Sequence, residues 1–413
     1  MIYLSNENLF EITIRSLNHV NNLLVGHGER VAYGVAKLLK QDGRFTDEEI
    51  VRIIWTVLFH DIGNFHKADI WNLAQLENDE DDFHARYGYI FLKTFFPFAE
   101  YAPLVRYHHT SYAEVDRALP DAKLNRATKY LKLVDEADLY HVNHPRKTPQ
   151  EVQQFFEGLI ARQFPTGLNI PARPFLDDAD DIHQKLLVRL KNMKLTPEEK
   201  RALLRTLVYS IDFRSHYTAL HCSMMVRASV TLAELCGLNE HEREAVYLGA
   251  FLHDLGKIAI PVETLESPDK LDARQWEIMK SHVTITEDIL RGCVSDEMLQ
   301  IAIRHHETLN GTGYPYGISG DQLTLPQRIV AVGDIVSALS EKRSYKPAFP
   351  IQEVMQILND MCRAGRICPY VLQVLSDHQE EVYHTVLQAG QDIEETFERI
   401  YMEYFDLATA QSV

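Results

Sequence analysis

At 413 residues the chain is long enough for two or three domains with sizeable cores. Its 46% hydrophobic and 24% charged residues exclude a disordered or fibrous chain. A formal net charge of −17 speaks against binding long nucleic acid or an anionic membrane, since both need a basic surface, but a small anion in a local cationic pocket stays open.

From the N-terminus, Met1–Leu9 is short and polar, carrying Asn6, Glu7 and Asn8, and does not read as a secretory leader. No apolar run approaches the length that crosses a bilayer. The five cysteines (Cys222, Cys236, Cys293, Cys362, Cys368) are odd in number and lack a C-x-x-C pair, which suits a reducing compartment. A cytoplasmic location is expected.

Helix signals recur and strand alternation hardly occurs, so the predicted fold is all-α. Thr46-Asp47-Glu48-Glu49, Thr148-Pro149-Gln150-Glu151 and Thr196-Pro197-Glu198-Glu199 each fit a capping box, two with Pro at the first helical position. Amphipathic segments follow or surround them at Glu49–His60, Lys129–Leu139, Arg201–Ile211 and Ile351–Met361. The most linker-like stretch is Phe164–Asp181, with Pro165, Gly167, Pro171 and Pro174 before an acidic run that reads as a solvated helix start. Expected domains are therefore residues 1–163 and 196–413, joined by a linker and connecting helix at 164–195. In the tail, one helix is expected through Leu387 and another from Asp392 to Leu407. The second has an apolar stripe of Ile393, Phe397, Ile400 and Tyr404 that suits packing on its own chain and leaves a homodimer open.

Potential metal ligands occur twice in one order. The first half holds His27, His60-Asp61, His84, His108-His109 and Asp135; the second holds His221, His253-Asp254, His282, His305-His306 and Asp334. The first His precedes the His-Asp pair by 33 residues in one set and 32 in the other, and the last Asp follows the paired histidines by 26 and 28. Matching orders imply two copies of one helical unit. A His beside an Asp at a helix end can bind one cation, with the second carboxylate oxygen free to reach another. Isolated histidines such as His216 and His241 read as surface residues.

This series resembles the HD superfamily of metal-dependent phosphohydrolases. More narrowly, FLHDLGKIAIP at Phe251–Pro261 with HHETLNGTGYP at His305–Pro315 resembles the HD-GYP domains that linearise bacterial cyclic dinucleotides, over about Tyr209 to Val386. FHDIGN at Phe59–Asn64 and LVDEADL at Leu133–Leu139 are similar to general HD counterparts. The tandem layout resembles bacterial enzymes that degrade 3′3′-cGAMP, while c-di-GMP is the usual substrate of the wider family.

The resemblance implies two tandem HD-type domains and two divalent metals in the second. His221, His253 and Asp334 would hold one, and His282, His305 and His306 the other, with Asp254 bridging and catalytic. Imidazole-rich sets favour Fe, Mn, Zn or Co over Mg or Ca, and the family commonly uses iron or manganese. Lys257 would contact the scissile phosphate and stabilise the departing ribose oxygen. Gly313 and Tyr314 would approach the substrate, with Tyr314 offering a stacking face or a hydroxyl; Arg343 and Lys346 would hold phosphate or base.

Three departures narrow the expectation. Asn310 replaces an Asp usual in the GYP motif, and Ser337 replaces the second Asp of the A-D-x-x-D-A segment. Tyr217 occupies the position where trinuclear members place a Glu ligand, which favours two metals and a linear dinucleotide product. In the first copy Asn64 stands in place of Lys257, HHTSY at His108–Tyr112 lacks GYP, and no basic residue matches Arg343. That copy has room for one or two further metals, as a 5′-nucleotidase or as an idle domain. The alternative for the whole chain is a cyclic-dinucleotide-binding signalling protein without turnover.

Overall fold

Helix signals in the sequence become helices throughout the computed structural model, which describes residues 4–19, 26–66, 83–163, 181–213, 216–265, 267, 269–341 and 348–409. The three capping boxes form. Thr46, Thr148 and Thr196 accept from the backbone N–H of Glu49, Glu151 and Glu199 at 3.2, 3.3 and 3.1 Å, and each Glu accepts the threonine N–H in return. Such caps each contribute about 0.5–2 kcal/mol. Among the described residues the extended pairing is one isolated bridge, Asn310 with Ser319, so the fold is all-α.

The chain divides into two compact units, one of Ser5–Thr206 with Met402–Val413 and one of Met1–Leu4 with Leu207–Tyr401. The first contains α1 (Asn6–Asn18), α2 (His27–Asp42), α3 (Asp47–Leu58), α4 (Phe83–Phe95), α5 (Ala102–Tyr107), α6 (Tyr112–Ala118), α7 (Ala122–Asn143), α8 (Pro149–Gln163) and α9 (Ile182–Lys191). The boundary falls within α10 (Pro197–Asp212). The second contains α11 (His216–Leu235), α12 (Glu240–Leu252), α13 (Val262–Leu265), α14 (Ala273–Leu290), α15 (Asp296–Ile303), α16 (Leu325–Ser340), α17 (Ile351–Arg363), α18 (Pro369–Asp377) and most of α19 (Gln379–Thr409).

The ligand order becomes a helix order. In the first unit α2 carries His27, α3 runs into His60 and Asp61, α4 carries His84, α5 ends at His108 and His109, and α7 carries Asp135; α11, α12, α14, α15 and α16 do the same for the second set. The centre of each unit is an apolar helix. On α3, Ile50, Val51, Ile53, Ile54, Trp55, Val57 and Leu58 are all buried, and on α12 so are Ala245, Val246, Leu248, Phe251 and Leu252. Each large side chain so buried contributes about 1.5–3 kcal/mol. The C-terminal half of each helix, apolar on nearly every side, must lie inside, and its last turn delivers the His-Asp pair to the interior.

After each pair the chain makes a 3-10 turn, Ile62–His66 or Leu255–Ala259, against the helix bearing the next histidine. The fit demands glycine. A Cβ on Gly63 would lie 2.0 Å from the carbonyl oxygen of His84, and one on Gly256 2.0 Å from that of His282. The second unit adds a clamp, in which Thr286 Oγ1 accepts from Gly256 N–H at 2.8 Å and donates to the His253 carbonyl at 3.1 Å.

The tail corrects one expectation. No break separates Leu387 from Asp392; α18 stops at His378 and α19 continues unbroken to Thr409. Gly390 lies within α19 and lets it approach α11, where a Cβ would lie 3.0 Å from Met224 Sδ. The stripe packs on its own chain: Ile393 and Ile400 are buried, Phe397 stacks on Phe213, and Tyr404 meets Phe83 edge-on. The Phe164–Ala179 part of the linker-like stretch, with Asp180, lies outside the described residues.

Two candidate metal centres

In the second unit the expected ligands converge. Asp254 Oδ2 lies 2.8 Å from His253 Nε2 and its Oδ1 lies 3.3 Å from His282 Nε2, so one carboxylate faces both histidines. His282 Nε2 and His305 Nε2 point at each other across 3.4 Å. Asp334 places Oδ1 3.0 Å from His221 Nε2 and Oδ2 3.4 Å from His306 Nδ1. Ligand atoms of His221, His253 and Asp254 gather within 4.8 Å, as do those of His282, His305 and His306.

Backbone contacts fix which ring nitrogen is offered. His253, His282 and His305 each set Nδ1 against the carbonyl three residues back (Ala250, Met279, Ala302) at 2.7, 2.6 and 2.6 Å. Nδ1–H donates there, which leaves Nε2 with a lone pair aimed inward. Burial pulls the imidazolium forms down, to about 3 for His282 and about 4 for His306, so both rings are neutral near pH 7. Burial alone would raise the Asp334 carboxyl, but the His221 hydrogen bond, joined in acid by the charge His306 then gains, holds it far below the ordinary range.

The first unit repeats the arrangement. His27 Nε2 and His60 Nε2 are 3.3 Å apart, and Asp135 Oδ1 lies 3.2 Å from the first and 3.5 Å from the second. Asp61 faces His60 through Oδ2 at 3.5 Å and His108 through Oδ1 at 4.0 Å. His60 and His108 anchor Nδ1 on the carbonyls of Val57 and Val105 at 2.7 and 2.6 Å. Asp61, His84, His108 and His109 form one cluster, and His27, His60 and Asp61 another.

These residues fit a metal on their own chemistry. His253 Nε2, Asp254 Oδ1, His108 Nε2, Asp135 Oδ1 and both ring nitrogens of His84 are buried without a hydrogen-bond partner among the described residues. Buried polar atoms left unpaired are costly, and a cation would satisfy lone pairs that converge on one point.

The remaining residues of interest frame the second centre. Lys257 Nζ lies 2.5 Å from Asp254 Oδ2; burial opposes its charge, but Asp254 outweighs burial and raises its pKa, so it stays a cation. The Tyr314 ring lies 4.6 Å from that of His306. Gly313 fits where a Cβ would meet Glu307 Cα at 2.5 Å, so its close approach is to the preceding turn of the protein. Asn310 Nδ2 donates to the Ala364 carbonyl at 3.1 Å, and its Oδ1 accepts from Thr312 Oγ1 at 2.7 Å, so its amide braces the loop. Arg343 and Lys346 lie outside the described residues, as does the Tyr217 side chain. His241 is exposed, as expected of an isolated histidine.

Several contributors escape sequence reasoning. Buried Glu307 accepts from the backbone N–H of Tyr316, Gly317 and Ile318 at 2.7, 3.2 and 3.2 Å and so shapes the loop carrying Tyr314; its place directly after the paired histidines was the available signal. Asp138 accepts from His27 Nδ1 at 2.7 Å and from Arg30 Nε and Nη2 at 2.6 and 2.9 Å. Burial opposes the charged ring of His27 while Asp135 and Asp138 favour it, so a metal at its Nε2 would compete with a proton there. Asp212, at the end of α10, is fully buried beside Cys222; burial pushes its carboxyl up to about 7, and the nearby Asp254 adds to the shift.

Among the described residues no helix is long and apolar enough to cross a membrane. Over 406 residues the chain is 26% identical to the 3′3′-cGAMP-specific phosphodiesterase 1 of Vibrio cholerae, covering 89% of this chain and 90% of that protein. It is 35% identical over 181 residues to the cyclic di-GMP phosphodiesterase response regulator RpfG of Xanthomonas campestris, covering 43% of this chain and 47% of the relative. A crystal structure of a cyclic GMP-AMP-specific phosphodiesterase from Vibrio cholerae matches with a TM-score of 0.54 at 17% identity, over 91% of this chain and 98% of that one, which is a likeness of fold. Family models described as HD domain match residues 24–143 and 187–371. With two such matches in tandem, each enclosing one ligand set, the chain belongs to the HD-domain family.

Proposed function

We propose that the chain is a metal-dependent phosphodiesterase that opens a cyclic dinucleotide, 3′3′-cGAMP or c-di-GMP, in its second HD domain. The observation that carries this reading is Lys257, a partly buried cation 2.5 Å from the central carboxylate of Asp254. A purely metal-storing or ligand-sensing site has no need of such a donor. The relatives support the substrate class, since the two described above are named as phosphodiesterases of these two nucleotides.

In this reading His221, His253 and Asp334 would hold one divalent metal and His282, His305 and His306 a second, with Asp254 as a ligand shared between the two sets. Iron or manganese suits the imidazole-rich set. When bound, the ions would supply positive charge against the phosphate and ease the ionisation of water. One P–O bond of the ring breaks and water adds across it, with hydroxyl to phosphorus and a proton to the ribose oxygen. Lys257 would donate its Nζ–H to a phosphate oxygen or to the departing oxygen. Arg343 and Lys346 would hold the second phosphate or a base.

A second activity is favoured by the completeness of the first-domain cluster. With Asn64 in place of Lys257, that domain would act on a simpler ester, removing the terminal phosphate of the linear product. The competing role is a metal-loaded domain without turnover.

Protein purified without oxygen and supplied with Mn²⁺ or Fe²⁺ would be given c-di-GMP and 3′3′-cGAMP separately, with products identified by mass. Linear dinucleotide from either is the expected result. No product from either with metals bound would replace this reading with that of a binding protein.

A further inference from the structure

We infer that Trp276, with Tyr314, forms the edge of the second-domain site that takes a purine base of the substrate. This rests on the cyclic-dinucleotide reading and assigns a residue that carries specificity within it.

Trp276 lies in the first turn of α14 and is 44% exposed, although an indole in water costs burial free energy. It is held in a defined place. Its ring meets Tyr314 edge-on, with centroids 5.9 Å apart and planes at 74°. Tyr314 in turn lies on His306 at 4.6 Å and 33°, and His306 meets His282 at 5.4 Å. Ring contacts thus run unbroken from two candidate ligands to solvent, ending in the indole.

The spacing suits a nucleotide. Trp276 and His282 share α14 six residues apart, about 9 Å of axial rise, comparable with the reach from a phosphate to its base. A phosphate at the histidines would bring its base toward Trp276. An edge-on neighbour leaves an indole face open, and stacking on that face suits any purine. The feature is also confined to one copy. At the same spacing before His84 the sequence has Asn78, and no GYP tyrosine follows His109. A residue needed only to build the fold would be expected in both.

The test compares wild type, Trp276→Phe and Trp276→Leu, loaded with Mn²⁺, on c-di-GMP, on 3′3′-cGAMP and on bis(p-nitrophenyl) phosphate, a diester without a purine. For the Leu variant KM for the cyclic dinucleotides should rise about 10- to 100-fold, the size of one lost base stack, with kcat changed much less. The Phe variant should recover most of the loss, and the purine-free diester should be cleaved at wild-type rates throughout. An unchanged KM in the Leu variant would overturn the inference. So would an equal loss on all three substrates, which marks a structural role. If wild-type protein cleaves the purine-free diester but neither binds nor cleaves a cyclic dinucleotide, the substrate reading itself fails and the inference with it.

Discussion

Ser337 Oγ lies 3.1 Å from Nδ1 of His221 and donates to the carbonyl of Asp334 at 2.8 Å. The corresponding residue of the first domain is Asp138, whose Oδ2 lies 2.7 Å from Nδ1 of His27. Both residues come one helical turn after the last ligand and orient the first, one with a hydroxyl and the other with a carboxylate. Ser337 therefore changes how a ligand is supported without removing a ligand.

The pair predicts metal retention. Ser337→Ala should weaken metal binding at the second centre about 10- to 100-fold, the usual cost of losing such a support. Asp138→Ala should do so at the first centre and also remove the carboxylate that Arg30 pairs with. Metal content after timed exposure to a chelator, followed for each variant, reads this directly; wild-type retention in both would show that the contacts do not orient the rings.

Gly63 and Gly256 should be intolerant of a single methyl group. Each Cβ would fall 2.0 Å from a backbone carbonyl oxygen, a contact that no side-chain rotation relieves. Gly256→Ala should destabilise the second unit by at least about 1–3 kcal/mol and displace the helix bearing His282. Thermal unfolding with a parallel metal assay checks it, and an unchanged midpoint would mean that the turn shifts at little cost.

The candidate ligands were legible because the His-Asp and His-His pairs fall at the ends of apolar helices and the single residues between them recur in the same order in both halves. The capping boxes were legible for a similar reason, since the motif and its hydrogen bonds lie within four residues. What stayed hidden depends on contacts distant in sequence. Asp138 meets His27 across 111 residues, and only the fold brings them together. Gly390 is a weak helix former, yet α19 runs through it where the helix lies close to Met224. Glu307 has no local partner either, and its three backbone donors arrive only when the loop closes.

Lys257 and Asp254 should separate by their effect on metal. Asp254→Ala removes the carboxylate that faces both histidine groups, so ring opening and at least one second-domain metal should be lost together. Lys257→Ala should lower the ring-opening rate about 10²- to 10³-fold while the metals stay bound. Rate and metal content measured on the same samples decide it. An unchanged rate in the lysine variant would remove it from the reaction.

Asp61→Ala isolates the first domain. The variant should open the ring at the wild-type rate, since every proposed ligand of that reaction lies in the second domain. If the first domain is a nucleotidase, the linear product should then accumulate with its terminal phosphate intact. Mass analysis of the time course distinguishes the roles, and identical dephosphorylation in both proteins would leave the domain without that activity.

The last prediction concerns stability and pH. His183 on α9 lies between Glu11 of α1 and Glu29 of α2, with Nε2 and Nδ1 at 2.7 and 2.8 Å from the carboxylates. Partial burial opposes its charge, but the two carboxylates outweigh burial and raise its pKa above the ordinary value. A folded pKa above the unfolded one, about 6.5, means that the stabilisation is fully present below about pH 6.5 and is lost as pH rises through the raised value. Burial pushes the Glu29 carboxyl up despite the imidazole beside it, so the gain should also fade in acid as Glu29 takes a proton. The side chain is about one-third exposed, so solvent screening keeps the effect modest. Wild type should therefore melt higher than His183→Gln near pH 6, and the difference should shrink by pH 9. Thermal midpoints of both proteins at the two pH values test this, and a difference that grows with pH would reverse the assignment of charge to the histidine.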